Sequence, residues 1–562
     1  MTDPTPDTEG IAGWNAGVGA VVNPSDERGG TLRLCSGAGL DSLDPARTYY
    51  VWVWLLQRCL NRGLMAYPTV AGPAGRVPVP DLAVAPGEAS PDLRSWRYRL
   101  RPGVRFDNGD PVTAWDIERA VQRIFAQHVV PGGPTWVLPL LDDPDQPYRG
   151  PYESADSRGT LRRVVVQDEH TIVFHLREPF ADFDHLMCQP ALAPVPAKYD
   201  TGADYGDSPL SSGPYRIEEH RPGSWLALCR NEHWDSATDP VRAALPDRIE
   251  LSMGMTPDEL DDRLMAGEFD LNLEGRGIQH AAQRRIIADE RLRGLSDNPM
   301  TGFLQYVSVQ PAVAPFDNLH VRRAVHFAAD RIALQEARGG PVTGGDIATS
   351  LFPPTLGAYQ PIDFYPSGPD RTGDLAKARA ELAAAGLPDG FTARIGTQRG
   401  KFHLVAEAMR ESLARIGIEL EIVDLDVATY FSKGIGLPAT VRNQQLGLVV
   451  NDWGADFPTE YGFLAPLVHG RYIKTNGGNF NIAELDDPVI NDLIDQTLAC
   501  SDADRRIALW REVDRRVMES AVLLPIVHDK TLHYRNPWVR NVFVHPAFGL
   551  YDIQAVGLGG RP

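Results

Sequence analysis

The residue types best suited to holding a ligand are concentrated in one stretch, Leu446 to Phe463, which reads LGLVVNDWGADFPTEYGF. An apolar run ends there, and Asp452, Trp453, Gly454, Ala455 and Asp456 follow. In open α/β sheets, ligands bind beyond the carboxyl ends of strands. A tryptophan offers a large rigid contact, and a glycine lets backbone approach closely. A carboxylate can hold an ammonium through a charge-assisted hydrogen bond. The same residues read equally as a strand end followed by a helix capped by Asp456.

Reactive chemistry has little support elsewhere. There is no GxSxG elbow, no HExxH and no phosphate-binding loop. Gly17-Val18-Gly19 lacks a third glycine at the spacing of a dinucleotide loop. The fourteen histidines are dispersed, and a solitary one such as His326 reads as a satisfied structural residue rather than a base. Composition leaves a paired-acid hydrolase open, but nothing singles out such a pair. No metal site and no cofactor are expected, and a binding protein is favoured over an enzyme.

At 562 residues and 61.8 kDa the chain exceeds what one hydrophobic core supports, so two or three lobes are expected. The net charge of −19 repels nucleic acid and anionic lipid and reads first as solubility. Cys35, Cys59, Cys188, Cys229 and Cys500 form no CxxC pair and read as free thiols. Arg58 is a basic neighbour able to favour a thiolate, at Cys59. Met1 to Gly10 has neither a basic n-region nor an apolar core, so it does not read as a signal peptide. No apolar run of about 18 residues occurs, so no membrane-spanning helix is expected.

These residues must be positioned by ordinary elements. Residues 1–30, rich in Gly, Pro, Asp and Asn, read as an extended leader. Strands are expected at Thr31–Leu34, at Trp96–Leu100, within Leu161–His175, at Tyr215–Ile217 and at Trp225–Cys229. Thr113 with Asp116 resembles a capping box opening a helix to about Gln127. After about Met300 helices and strands alternate: helix Asp374–Ala385, strand Phe391–Ile395, a helix carrying Val405, Met409, Leu413 and Ile416, strand Ile418–Ile422, buried strand Leu446–Val450, and helix Asp502–Glu519. That pattern predicts an α/β lobe with a mostly parallel sheet.

Several ordered blocks then carry a family resemblance. Trp96 to Phe106, reading WRYRLRPGVRF and followed by Gly109 to Ala114 and Asp116, is similar to the most specific signature of the bacterial extracellular solute-binding proteins of family 5. These are the dipeptide and oligopeptide receptors of ABC importers. Ser212-Gly213-Pro214-Tyr215, Asn318 to Ala324 with Ala329-Asp330-Arg331, and Ala378 to Phe391 match further blocks, and the Trp453 segment resembles the family's ligand-anchoring stretch. The style is actinobacterial and resembles homologues found in antibiotic gene clusters such as that for clavulanic acid.

The resemblance implies an α/β, three-lobe periplasmic-binding-protein-like fold of class II, cluster C type, with an interlobe ligand cleft closed by hinge motion. Lobe I would comprise 31–61, 197–300 and 530–562, lobe II 62–196, and lobe III 301–529. Asp456 would bind a peptide α-ammonium, and Asp452, Trp453 and Gly454, with Ala455 beside them, would offer main chain to one peptide edge. Tyr49, Tyr50 and Val51 would pair with the other edge, or else pack at the start of a helix. Val449, Val450, Asn451 and Asp452 stand where relatives can carry a basic residue. The acid Asp452, with Glu460 nearby, suggests a preference for cationic, arginine-containing guests. The implied partners are a short peptide or amino-acid derivative and an ABC transporter permease, with no nucleic acid and a monomeric chain. The location would be extracytoplasmic, with a cytoplasmic one left open by the missing signal. Two alternatives stand beside this: the same fold binding an oligosaccharide or metal chelate, and a biosynthetic-cluster accessory protein or enzyme built on the scaffold.

Overall fold

The computed structural model describes residues 12–154 and 159–560. The chain divides into two units, residues 1–299 with 532–562 (unit 1) and residues 300–531 (unit 2).

Unit 1 contains a five-stranded sheet in the order Leu271–Asn272, Thr31–Cys35, Arg248–Ser252, Trp225–Arg230, Tyr215–Arg221. Thr31–Cys35 lies parallel to both neighbours, and the remaining ladders are antiparallel. Alternation sends Leu32 and Leu34 into a core shared with Val53, Leu55 and Leu56 of the helix Val51–Leu60. A separate four-stranded antiparallel sheet is built from Glu88–Ala89, Ser95–Arg99, Thr171–His175 and Val164–Asp168. The expected helix runs from Ala114 to Phe125, and the Asp116 carboxylate accepts from the Thr113 amide at 2.7 Å and its hydroxyl at 2.9 Å. Residues 1–11 of the expected leader lie outside the described residues. The rest is docked on unit 1: Gly13 donates to the Gly294 carbonyl, and Val22 bridges to Val542.

Unit 2 is built around a six-stranded sheet in the order Asp346–Ile347, Leu523–Lys530, Met300–Val309, Leu446–Gly454, Phe391–Thr397, Ile418–Asp424. Helices Leu375–Ala384, Lys401–Ala414 and Ala503–Ser520 lie where the periodicity placed them, the first and last capped by Asp374 and Asp502. The expectation of a mostly parallel sheet is corrected. Only the ladders joining Phe391–Thr397 to Ile418–Asp424 and to Leu446–Gly454 are parallel, and the other three are antiparallel. Met300–Val309 is buried on both faces from Leu304 to Val309, so it lacks the in-and-out burial that marks an antiparallel strand and its direction left no mark in the sequence. Among the described residues no helix is long and apolar enough to cross a membrane.

Candidate ligand-binding site

The Leu446–Gly454 strand is longer than expected. Asp452, Trp453 and Gly454 do not follow the strand but form its last turn of pleat, opposite Gln305, Leu304 and Phe303. Its other edge is different. There the parallel partner Phe391–Thr397 pairs only as far as Val449, opposite Gly396. Among the described residues, no strand pairs with that edge from Val450 to Gly454. A peptide backbone could therefore add to this edge without breaking a ladder.

The side chains along this stretch have distinct environments. Trp453 is 8% exposed and packs on Phe480 with ring centroids 4.6 Å apart. A Cβ at Gly454 would stand 2.6 Å from the Phe303 ring, so only glycine fits the present packing. Val449 and Val450 are wholly buried in the unit 2 core. Asn451 spans its neighbours, donating to the Tyr306 hydroxyl and accepting from the Asp452 amide, each at 2.9 Å. Burial pushes the Asp452 carboxyl up to about 7; Asp529 adds to the rise and Arg338 opposes it. Arg338 itself donates to Asp529 at 2.8 Å.

Asp456 lies after the strand, half-buried, and is not the helix cap of the alternative reading. The helix Glu460–Val468 is capped by Thr459, whose hydroxyl accepts from the Gly462 amide at 3.2 Å. Ala455 is likewise half-buried. Glu460, expected to add negative charge to the site, accepts from the Ala358 amide at 2.9 Å and so serves as a tether.

In unit 1, Tyr49 and Tyr50 are 41% and 51% exposed, unusual for large aromatics. Val51 is half-buried and opens the helix Val51–Leu60, and the Tyr50 carbonyl accepts from Val53 and Trp54. The helix-start packing anticipated for these tyrosines is present: Tyr49 lies against Trp54 and Tyr50 stacks on Trp52. The Asp41 carboxylate takes the Thr48 hydroxyl at 2.8 Å and the Tyr49 amide at 2.7 Å. Nearby, buried Arg123 donates to Asp44 at 2.5 Å, fixing the loop to the helix Ala114–Phe125.

The remaining candidates are inert. His326 is wholly buried against Tyr365, and burial pushes its pKa down to about 3. Burial pushes the Cys59 thiol up to about 12, and neighbouring Arg58 is committed to Asp552 at 3.0 Å. Thus Arg58 does not activate Cys59.

Sequence reasoning missed Gln305 and the Arg338–Asp529 pair, whose proximity to Asp452 depends on strand register and on a helix distant in sequence.

Comparison with known proteins agrees with this architecture. A solved structure described as "Clavulanic acid biosynthesis oligopeptide binding protein 2" is 68% identical, covers 99% of this chain and 100% of its own, and superposes with a TM-score of 0.96. Heme-binding protein A of Haemophilus influenzae is 24% identical over 84% of this chain and 83% of its own length. The periplasmic oligopeptide-binding protein OppA of Salmonella typhimurium is 23% identical over 93% of this chain and 91% of its own. The family model "Bacterial extracellular solute-binding proteins, family 5 Middle" matches residues 77–475, and the chain belongs to that family of solute-binding proteins.

Proposed function

We propose that the protein captures short peptides for an ABC transporter permease by taking them as an added strand on the edge from Val450 to Gly454. The observation that carries the reading is that no strand among the described residues pairs with this edge, although the Tyr430 hydroxyl holds the Val450 carbonyl at 2.6 Å and Asn451 holds the Asp452 amide. Main-chain pairing gives affinity that ignores side-chain identity, as a receptor for varied peptides requires. Asp456, at the end of the edge, takes the peptide ammonium, and Trp453 with Gly454 shapes the contact. Tyr49 and Tyr50 supply a second, aromatic surface; their segment contributes groups other than the Tyr49 amide, which Asp41 already holds. The three-lobe division, the interlobe cleft and its closure on the guest are part of the same proposal. So is a monomeric, extracytoplasmic protein without catalytic activity. The 68% identity to an oligopeptide-binding protein of clavulanic acid biosynthesis supports a peptide or peptide-like guest and a role beside antibiotic biosynthesis.

The relative named for haem binding keeps one second reading in view, a non-peptide guest on the same scaffold. Native mass spectrometry of the purified chain, followed by calorimetry with di- and tripeptides and with haem, separates the two. Saturable peptide binding is the expected result. Haem binding without any peptide binding would replace the reading.

A further inference from the structure

Strand geometry decides which main-chain groups of the open edge a guest can reach. The Gly447 carbonyl accepts from the Gln310 amide at 2.9 Å, so Gly447 turns its main-chain groups toward Met300–Val309. In an antiparallel ladder this direction alternates from residue to residue, and the register from Leu448 to Gly454 runs without a shift. Val449, Asn451 and Trp453 therefore face Met300–Val309, as Gly447 does. Val450, Asp452 and Gly454 face the open edge, and the bond from Tyr430 to the Val450 carbonyl agrees with that assignment.

Two groups on this edge are already closed. The Tyr430 hydroxyl donates to the Val450 carbonyl at 2.6 Å. Tyr430 is wholly buried, and Phe402 and Phe431 hold its ring edge-on at 5.9 and 5.1 Å. The Asp452 amide donates to Asn451 Oδ1 at 2.9 Å, and the Asn451 side chain, 2% exposed, is fixed in turn by its bond to the Tyr306 hydroxyl. The edge leaves a guest the Asp452 carbonyl and the amide and carbonyl of Gly454. Both residues are half-buried, and no strand among the described residues pairs with these three groups.

We propose that this edge reads three residues of a peptide and then stops, and that Asn451 and Tyr430 set the stop. The inference rests on the peptide reading above. With its ammonium at Asp456, the guest runs antiparallel to Leu446–Gly454. Its first residue lies opposite Gly454, donating to the Gly454 carbonyl and accepting from the Gly454 amide. Its third residue lies opposite Asp452 and donates its amide to the Asp452 carbonyl. Pairing ends there. The third carbonyl finds the Asp452 amide held by Asn451, and a fifth amide finds the Val450 carbonyl held by Tyr430. Longer peptides are not excluded, but residues past the third gain no main-chain bond from this edge, so affinity levels off.

Calorimetry on the full chain with alanine peptides carrying blocked carboxyl ends tests the register. Di-alanine N-methylamide has the third N–H, and di-alanine N,N-dimethylamide lacks it and should bind about tenfold more weakly. The same two amides of tetra-alanine differ at the fifth N–H and should agree within twofold. Equal affinities in the first pair, or a loss of fivefold or more in the second, overturn the register while leaving peptide capture standing. If neither di-alanine amide binds, peptide capture itself fails, and this inference with it. Asn451→Ala frees the Asp452 amide for a third carbonyl, which tri-alanine N-methylamide has and di-alanine N-methylamide lacks. These two should bind within twofold of each other in the parent and about fivefold apart in the variant, the longer one more tightly. An unchanged ratio in the folded variant overturns the role of Asn451. Urea melts verify folding, and if Asn451→Ala does not fold, the two amide pairs decide alone.

Discussion

Asp452 and Gln305 stand directly opposite each other across the antiparallel ladder that ends at the open edge of unit 2. Gln305 is wholly buried, and neither end of its side-chain amide has a hydrogen-bond partner. Asp452 beside it has its carboxyl held up at about 7, mainly by burial, with the Arg338–Asp529 pair pulling in both directions. Polar groups kept under such conditions cost stability, and perturbed groups concentrate at functional sites, which supports the proposed use of this edge.

Charge at Asp452 should therefore appear only as pH rises through about 7. A preference for Ala-Arg over Ala-Leu, on the order of tenfold at pH 8, should shrink at pH 6, where the carboxyl is protonated. Asp452→Asn should abolish that dependence. Calorimetry at both pH values checks it, and equal losses for the two dipeptides at pH 8 would rule out the cationic preference.

Asp456→Ala should lower peptide affinity by about two to three orders of magnitude. Removing one partner of a buried ammonium–carboxylate pair costs roughly 3–5 kcal/mol. Thr459→Ala, which removes the cap of the helix Glu460–Val468, should instead cost about 1 kcal/mol of folding stability. Binding and urea-melt data on the pair separate anchoring from capping. An Asp456→Ala affinity within threefold of the parent refutes the anchor.

Gly454→Ala should destabilise unit 2 by about 1–2 kcal/mol through the overlap with the Phe303 ring. Phe303 is 39% exposed, so the ring can yield in part. The double variant Gly454→Ala with Phe303→Ala should remove the overlap, and non-additive melting temperatures would show it. Simple additivity would mean that the glycine is needed for another reason.

Burial alone lifts Asp514, 5% exposed, to about 7 from 3.8, although the Leu351 amide donates to it at 3.2 Å. Its folded-state pKa lies above the unfolded value, so the native state binds the extra proton between about pH 4 and 7. Stability therefore falls as pH rises through that window. Asp514→Asn keeps an acceptor for Leu351 and should gain about 1–2 kcal/mol over the parent at pH 7.5 and nothing at pH 4. Urea melts at the two pH values would falsify the assignment if the difference were the same at both.

The elements were largely legible because local rules set them. The capping pair Thr113 and Asp116 and the alternation of Leu32 with Leu34 act within a few residues and lie where they were read, and the helices read from Asp374 and from Asp502 begin just after those residues, which cap them. The strand end at Leu446–Gly454 was misjudged because polar Asn451 and Asp452 resemble a terminus, whereas pairing with Phe303–Val309 carries the strand four residues further.

Read as a string, then, the chain settled most of its elements and its family and singled out the segment around Trp453 as a candidate, since propensity, capping and ordered motifs are short-range properties. The direction of Met300–Val309, the strand-free edge past Val449 and the meeting of Asp452 with Gln305 were decided in three dimensions. Each depends on which distant backbone supplies the next hydrogen bond or withholds it, and no local residue pattern encodes that choice.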